Sequence, residues 1–280
     1  MNKLLFIICT CLSVSVLSVS CHSGEQGEDG SPATKDNIPR PVIPYTIDYT
    51  VVNSFPHDTN AFTEGLLVHD GELYESTGHT DSYKNSRSLF GVVDLHSGMI
   101  RVKAEIDKNK YFGEGIAFLK DRVYQLTDTT KIGFIYDAKT YKKLGEFHYD
   151  TDGWGLTTNG STLIMSDGSS NITYRDPLTF KPVKILKVTD NNGPVSNINE
   201  MELIKGFLYA NQWLTNYILK IDTSTGKVVG RLDMISLISN ARSKYPGSIE
   251  MNGIAYDSVA DKIYVTGKLW PNIYEIKFSH

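Results

Sequence analysis

The chain has 280 residues, of which 40% are hydrophobic and 21% charged, and its formal net charge is −4. This composition excludes a largely disordered chain, because it supplies enough apolar surface for a core. Nucleic-acid binding is also disfavoured, because it needs clustered positive charge and no run of Lys or Arg here exceeds two residues. The 16 Tyr and 23 Gly residues favour short strands separated by tight turns. We therefore expect a β protein that does not bind nucleic acid.

Residues 1–21 have the pattern of a secretory signal peptide. A positive start at Lys3 precedes an apolar run that is too short and too rich in serine for a membrane span. The run ends in Ser-Val-Ser-Cys, which is similar to a bacterial lipoprotein processing site with Cys21 as the lipidated residue. Ordinary signal cleavage nearby is the alternative. We predict an exported lipoprotein of the periplasm or cell envelope, held at a membrane through Cys21.

A tether and then the folded domain follow the signal. Residues 22–44 are rich in glycine, proline and acidic side chains and carry almost no large apolar ones, so they cannot bury enough surface to order themselves. The folded domain is expected over residues 45–280. All three cysteines precede it, so it contains no disulfide.

One pattern recurs five times in this domain: a strand that starts with glycine and polar residues, a turn, and a second strand that ends in small polar residues. Equivalent positions are spaced 40 to 52 residues apart, which is typical of a four-stranded propeller blade. Further strand-like runs complete four strands per repeat. The copies begin at Phe62, Phe112, Gly153, Ile198 and Met251.

The fifth copy lacks its last strand, because the chain ends two residues after Phe278. The run from Tyr45 to Val52 precedes the first copy and has no other partner. If it forms the outer strand of the last blade, it closes the ring and removes an exposed sheet edge. The sequence therefore predicts an all-β, five-bladed β-propeller closed by its N-terminal strand.

Candidate functional residues lie at the starts and ends of the repeats, because the first strands of propeller blades line the central channel. The alternative is that such polar side chains bind only water or a structural cation. No HxH or HExxH pair of histidines supports a catalytic zinc ion. The candidates are Glu64, Glu114, Asn199, Glu200 and Asn252, with Trp154, Trp213, Trp270 and Lys268 near them.

The same segments closely resemble the plant and bacterial five-bladed glutaminyl-peptide cyclotransferases, and they cover all five repeats. The matching motifs are FTEG at 62–65, LYESTG at 73–78, YFGEG at 111–115, GFIYD at 133–137, DGWGLTT at 152–158, LIMSDGS at 163–169, NEME at 199–202, NGIAYD at 252–257 and VTGKLWP at 265–271.

The resemblance implies conversion of the N-terminal glutamine of peptides or proteins to pyroglutamate, with release of ammonia. It implies no cofactor for catalysis and allows a structural calcium ion in the channel. By resemblance, Glu114 is the general base and acid, and Asn199 and Lys268 bind the substrate and stabilise its oxyanion. The implied substrate pocket consists of Phe62, Glu64, Phe112, Trp154 and Trp213, although each tryptophan could instead pack between blades.

Two positions depart from the family pattern: Glu64 stands where many relatives have Gln, and Asp128 stands where many have Trp. An added carboxylate could attract the substrate's ammonium group, yet it would then hold the amine in its unreactive protonated form. Two other hypotheses about the function stay open. One is a propeller that binds peptides without catalysis, and the other is a metal-dependent hydrolase that uses the channel carboxylates.

Overall fold

The computed structural model describes residues 44–280. The predicted signal peptide, the lipidation site at Cys21 and residues 22–43 of the tether lie outside the described residues and stay predictions. Within the described range, no helix is both long and apolar enough to cross a membrane.

Five sheets, each built on four antiparallel strands, follow one another along the chain, as predicted, and the fourth carries an additional parallel strand at its edge. Blade I contains β3 (Thr63–His69), β4 (Glu72–Thr77), β5 (Leu89–Val93) and β6 (Ile100–Glu105). Blade II contains β7 (Gly113–Leu119), β8 (Arg122–Thr127), β9 (Ile132–Asp137) and β10 (Lys143–His148). Blade III contains β11 (Leu156–Thr158), β12 (Leu163–Ser166), β13 (Asn171–Arg175) and β14 (Pro182–Lys187). Blade IV contains β17 (Ile198–Ile204), β18 (Phe207–Gln212), β19 (Tyr217–Asp222) and β20 (Val228–Asp233). Blade V contains β21 (Met251–Asp257), β22 (Lys262–Gly267) and β23 (Asn272–Phe278), and its fourth strand comes from the N-terminal segment.

The first strands of the blades surround the axis in the order β3, β7, β11, β17, β21 and back to β3. Burial falls from the axis outward. All seven residues of β7 are buried, whereas five of the six residues of the outer strand β14 are exposed. An innermost strand has neighbouring blades on both faces, so it is buried throughout and does not alternate between core and solvent.

Glycine allows the first strands to approach closely. A Cβ on Gly115 would lie 2.5 Å from the backbone nitrogen of Leu156, and one on Gly155 would lie 2.4 Å from the carbonyl oxygen of Asn199. Both distances are far below van der Waals contact. The glycines of the repeat motif therefore allow each first strand to sit against the next blade.

The ring closes through the N-terminal segment, but the pairing differs from the prediction in detail. β2 (Tyr49–Pro56) pairs antiparallel with β23 and supplies the outer strand of blade V. The two residues of β1 (Tyr45–Thr46) instead pair in parallel with β20 at the edge of blade IV. The buried side chain of Ile47 packs into the core between these blades, which turns the chain from one sheet to the next. The segment thus joins two blades.

Two smaller elements were not predicted. The helix α1 (Ile235–Lys244) connects blades IV and V and buries Leu237, Ile238 and Ala241. A hairpin of β15 (Thr189–Asp190) and β16 (Gly193–Pro194) connects blades III and IV. Neither belongs to the repeat. The helix fills the space beside the joint where β2 enters blade V, and its three buried side chains belong to the same core cluster as Ile47.

Candidate active site

The predicted site residues meet at one end of the channel. Glu64, Glu114 and Asn199 lie near the starts of β3, β7 and β17, while Trp213 and Lys268 directly follow β18 and β22. Antiparallel pairing aligns the start of each first strand with the end of the second, as in the pairs Gly113 with Thr127 and Ile198 with Gln212. We call this end of the channel the mouth.

A buried ion pair at the mouth joins blades I and V. The Nζ atom of Lys268 lies 2.7 Å from Oε1 of Glu64, and the two side chains are 9% and 2% exposed. The other oxygen of Glu64, Oε2, accepts a hydrogen bond of 2.9 Å from Nδ2 of Asn252. That amide also donates to the carbonyl oxygen of Thr63 at 3.0 Å. Both oxygens of Glu64 are therefore bound within the protein.

Burial and neighbouring charge act in opposite directions on this pair. Burial raises the pKa of Glu64 to about 7, although the ammonium of Lys268 pulls it down. Burial lowers the pKa of Lys268, but the carboxylates of Glu64 and Glu114 more than offset this and raise it. Lys268 is thus a cation at neutral pH.

Glu114 has the most distinctive environment at the mouth. Its side chain is buried, and its Oε2 atom has no hydrogen-bond partner in the protein. Burial raises the pKa of Glu114 well above its ordinary value, and the nearby carboxylate of Glu64 raises it further against the opposing effect of Lys268. A carboxyl group whose pKa is raised in this way holds a proton more readily than an exposed one and can act as a general acid and base.

Asn199 lies beside a backbone contact between blades III and IV. Its carbonyl oxygen accepts a hydrogen bond of 2.8 Å from Oγ of Ser166, which in turn accepts one from the backbone N–H of Gly155. These bonds fix the main chain at Asn199. Its side-chain oxygen Oδ1 is buried and has no hydrogen-bond partner in the protein. This oxygen is therefore free to accept a hydrogen bond from a ligand.

Two aromatic pairs flank these polar groups. Phe62 and Phe112 meet edge to face with ring centroids 5.7 Å apart, and Trp154 and Trp213 do so at 5.5 Å. The Nζ atom of Lys268 lies 4.7 Å from the ring centroid of Phe62, which is a cation–π distance. All four rings are only partly buried, as expected of side chains that line an opening.

The remaining sequence candidates fall into different roles. Trp270 is fully buried in the core between blades and donates from Nε1 to the carbonyl oxygen of Ile249, so it does not line the mouth. Glu200 accepts hydrogen bonds from the backbone N–H groups of Leu66 and Ile254, and thus connects three blades across the channel. Asp128 lies half-buried at the mouth, where burial raises its pKa.

Sequence reasoning missed Tyr83 and the contacts of Asn252. Tyr83 ends a short 3₁₀ helix (Asp81–Tyr83) in the long connection between β4 and β5, and its ring lies 5.6 Å from that of Phe62. The length of that connection was the available signal, because loops at this end of a blade reach the mouth. The role of Asn252 had no such signal, because its partner lies 188 residues away.

The channel carboxylates fit a cation poorly. Among residues 44–280, no group of three or more His, Cys, Asp or Glu side chains is arranged to hold a metal ion. Glu64 and Glu200 each use both carboxylate oxygens on donors of the protein, whereas calcium takes six to eight oxygen ligands. Glu114, Asn199 and Asn252 nevertheless keep buried oxygens without a partner in the protein, and a structural calcium ion in the channel stays a prediction.

The fold and the mouth define a class of protein: a five-bladed β-propeller whose channel opens onto an unpaired buried carboxyl group, a lysine, an amide and two aromatic pairs. Comparison with known proteins identifies a family for this chain. The family model described as glutamine cyclotransferase matches residues 26–278. The chain is 39% identical over 233 residues to glutaminyl-peptide cyclotransferase from Arabidopsis thaliana, a match that covers 82% of this chain and 71% of the relative.

A solved structure agrees as well. The crystal structure of Myxococcus xanthus glutaminyl cyclase aligns with a TM-score of 0.75 and 33% identity, covering 85% of this chain and 99% of that one. The chain belongs to the glutamine cyclotransferase family.

Proposed function

We propose that this protein is a glutaminyl-peptide cyclotransferase, which converts the N-terminal glutamine of peptides or proteins to pyroglutamate and releases ammonia. One structural observation supports the chemistry above all others: the buried carboxyl group of Glu114 has an unpartnered oxygen and a pKa raised well above its ordinary value. Family membership and the arrangement of the mouth support the substrate class.

The reaction requires no nucleophile from the protein. The nitrogen of the substrate's own α-amine attacks the carbon of its side-chain carboxamide, a C–N bond forms within a five-membered ring, and the bond to the amide nitrogen breaks. One proton moves from the attacking nitrogen to the departing one, which leaves as ammonia. A pocket that holds glutamine folded for this attack lowers the barrier through proximity alone.

Glu114 carries that proton in our proposal. A free α-amine has a pKa of about 7.7 to 8.0, so a useful fraction is neutral near pH 7.5. As the new bond forms, the attacking nitrogen becomes acidic and Glu114 takes up its proton. The same carboxyl group then protonates the leaving nitrogen. A carboxyl group whose pKa is raised above its ordinary value by burial serves both steps, and positioned acid–base groups contribute roughly 10²- to 10⁴-fold to rates.

The other residues bind and polarise the substrate. Lys268 and the amide of Asn199 donate hydrogen bonds to the carboxamide oxygen, which becomes an oxyanion as the ring closes. The aromatic pairs Phe62–Phe112 and Trp154–Trp213 enclose the aliphatic part of the glutamine side chain and exclude water. We propose that no cofactor takes part.

The experiment compares a Gln-initiated peptide with its Asn-initiated twin, using the soluble chain from Ile38 onward and mass spectrometry to detect loss of ammonia. We expect loss from the Gln peptide only, because the shorter Asn side chain cannot form the five-membered lactam. We also expect EDTA to leave the rate unchanged. No ammonia loss from the folded protein, with peptide binding retained, would show the alternative function, a propeller that binds peptides without catalysis. Loss of activity on chelation would show a metal-dependent enzyme.

A further inference from the structure

Lys268 interacts with two carboxyl groups at the mouth but forms an ion pair with only one of them. Glu64 and Glu114 both act on its charge. The ammonium lies 2.7 Å from Glu64, while no ion pair joins it to Glu114. Asn252 fixes the far oxygen of Glu64 at 2.9 Å, so the carboxylate is held in place from both sides.

Glu114 is buried, and one of its carboxyl oxygens, Oε2, lacks a hydrogen-bond partner in the protein. Burial raises the pKa of the hydroxyl of Tyr149, which follows β10, and Glu114 raises it further. Four charged groups act on Glu114 itself. They are Glu64 in β3, Lys268 after β22, Asp128 after β8 and Asp152 before β11. Glu250, before β21, acts on both members of the ion pair.

We propose that Glu64 is a positioning residue that holds the Lys268 ammonium away from Glu114 and so leaves the Glu114 carboxyl group without an ion-pair partner. This inference rests on the proposed function. If Glu64 lost its charge, Glu114 would be the remaining buried carboxylate acting on the ammonium. A cation in contact with a carboxylate lowers its pKa by about 1 to 3 units, which makes it a weaker base. Glu64 thus acts on Glu114 both directly, through its own charge, and indirectly, by holding Lys268. The positioning role is the indirect one, and it does not require contact with the substrate.

The test is the variant Glu64→Gln, which keeps the shape of the side chain and removes its charge. The first measurement is a pH titration of the protonated carboxyl stretch of Glu114 by infrared difference spectroscopy, assigned by its loss in Glu114→Gln. We expect the midpoint to fall by at least about one pH unit. The second measurement is kcat against pH for the Gln peptide, in which the limb that follows Glu114 should move the same way.

A double variant separates charge from structure. Removal of the Glu64 charge also lowers the midpoint of Glu114 directly, so the position of Lys268 is isolated by comparing Lys268→Gln in two backgrounds. We expect this substitution to raise the midpoint more in Glu64→Gln than in the wild type, because the ammonium then lies against Glu114. Equal rises in the two backgrounds would overturn the inference. If Glu64→Gln does not fold, Glu64→Asp takes its place. It keeps the charge but withdraws the carboxylate from Nζ, and we expect a smaller shift in the same direction.

The matched control is Glu250→Gln, which removes a carboxylate that acts on the same ammonium without bonding to it. We expect less than half the shift of Glu64→Gln. An unchanged midpoint in Glu64→Gln, or an equal shift in Glu250→Gln, would overturn the inference. If the wild-type chain does not cyclise the peptide but the midpoint shifts as expected, the proposed function is wrong while the role of Glu64 in placing Lys268 is supported.

Discussion

At the scale of single residues, burial at the mouth raises the pKa of a carboxyl group. Exposed carboxyl groups of this protein behave in the opposite way to Glu114. In Glu146, for example, the ammonium of Lys143 at 2.5 Å holds the pKa below its ordinary value. Glu114 is buried and forms no ion pair with the described residues, so its neutral form is favoured relative to that of an exposed carboxyl group. The same residue type is therefore a surface charge in one blade strand and, in the proposed mechanism, a proton carrier in another.

We expect Glu114→Gln to reduce kcat for a Gln-initiated peptide by about 10²- to 10⁴-fold, because the amide keeps the shape but cannot carry a proton. Thermal unfolding should occur at the same or a higher temperature, because a neutral amide is cheaper to bury than a carboxylate. Steady-state kinetics and circular dichroism check both parts. Glu146→Gln is the control and should retain wild-type kcat. Retained activity in Glu114→Gln would remove Glu114 from the mechanism.

At the scale of elements, the connections after the second strands shape the pocket. Gly78 follows β4, and a Cβ there would lie 2.2 Å from the ring of Phe112. Gly168 follows β12, and a Cβ there would lie 2.5 Å from the ring of Trp154. These glycines leave room for one ring of each aromatic pair. The small residues at the ends of the repeats are thus part of the site.

The variant Gly78→Ala should displace Phe112 and raise KM for the Gln peptide severalfold, with a smaller effect on kcat, because substrate orientation is lost while Glu114 stays in place. Gly78 has an ordinary negative φ, so backbone strain does not contribute. Gly145→Ala is the matched control, since a Cβ there meets nothing within 4 Å and its φ is also ordinary. Steady-state kinetics on both variants decide the matter. Equal KM values would show that Phe112 does not position the substrate.

Prediction of the elements succeeded where the repeat applied and failed where it did not. The recurring glycine-containing strand starts and turn residues indicated the four-stranded blades, including the short strand after Trp154. The helix α1 occurs once, and the dipeptide β1 is too short to identify from sequence. β1 pairs with β20, and the adjacent Ile47 fills a cavity between two blades. Only the assembled ring provides that cavity.

At the scale of the whole molecule, burial raises the pKa of several groups, so the folded chain binds more protons than the unfolded chain at the same pH. Burial raises the pKa of Glu114 and Glu200 well above the ordinary value, and that of Glu202 to about 8. Burial lowers the pKa of His57, but its ion pair with Glu75 at 3.0 Å outweighs this and raises it. Groups whose pKa is higher in the folded state contribute stability at low pH and lose it as the pH rises through the folded pKa.

We therefore expect the free energy of unfolding to fall as the pH rises from about 5 to about 9. At the acid end, exposed turn aspartates such as Asp137 have lowered pKa values because backbone N–H groups bind them. Their contribution is lost as the pH falls below about 4, which places the maximum of stability near pH 5. Denaturant unfolding at pH 5, 7 and 9 measures the slope. Glu202→Gln should make it shallower and Glu146→Gln should not. Stability that rises between pH 5 and 9 would contradict the prediction.

The sequence by itself determined the five blades, the closure of the ring and most residues of the mouth, though not Tyr83, because a repeat places equivalent positions at equivalent places in the fold. It could not show which charged groups pair, because Glu64 and Lys268 are distant in sequence and meet only when blade V closes against blade I. Nor could it show that Glu114 is left without a partner. Burial and pairing depend on every neighbour in space, and only the tertiary structure assembles those neighbours.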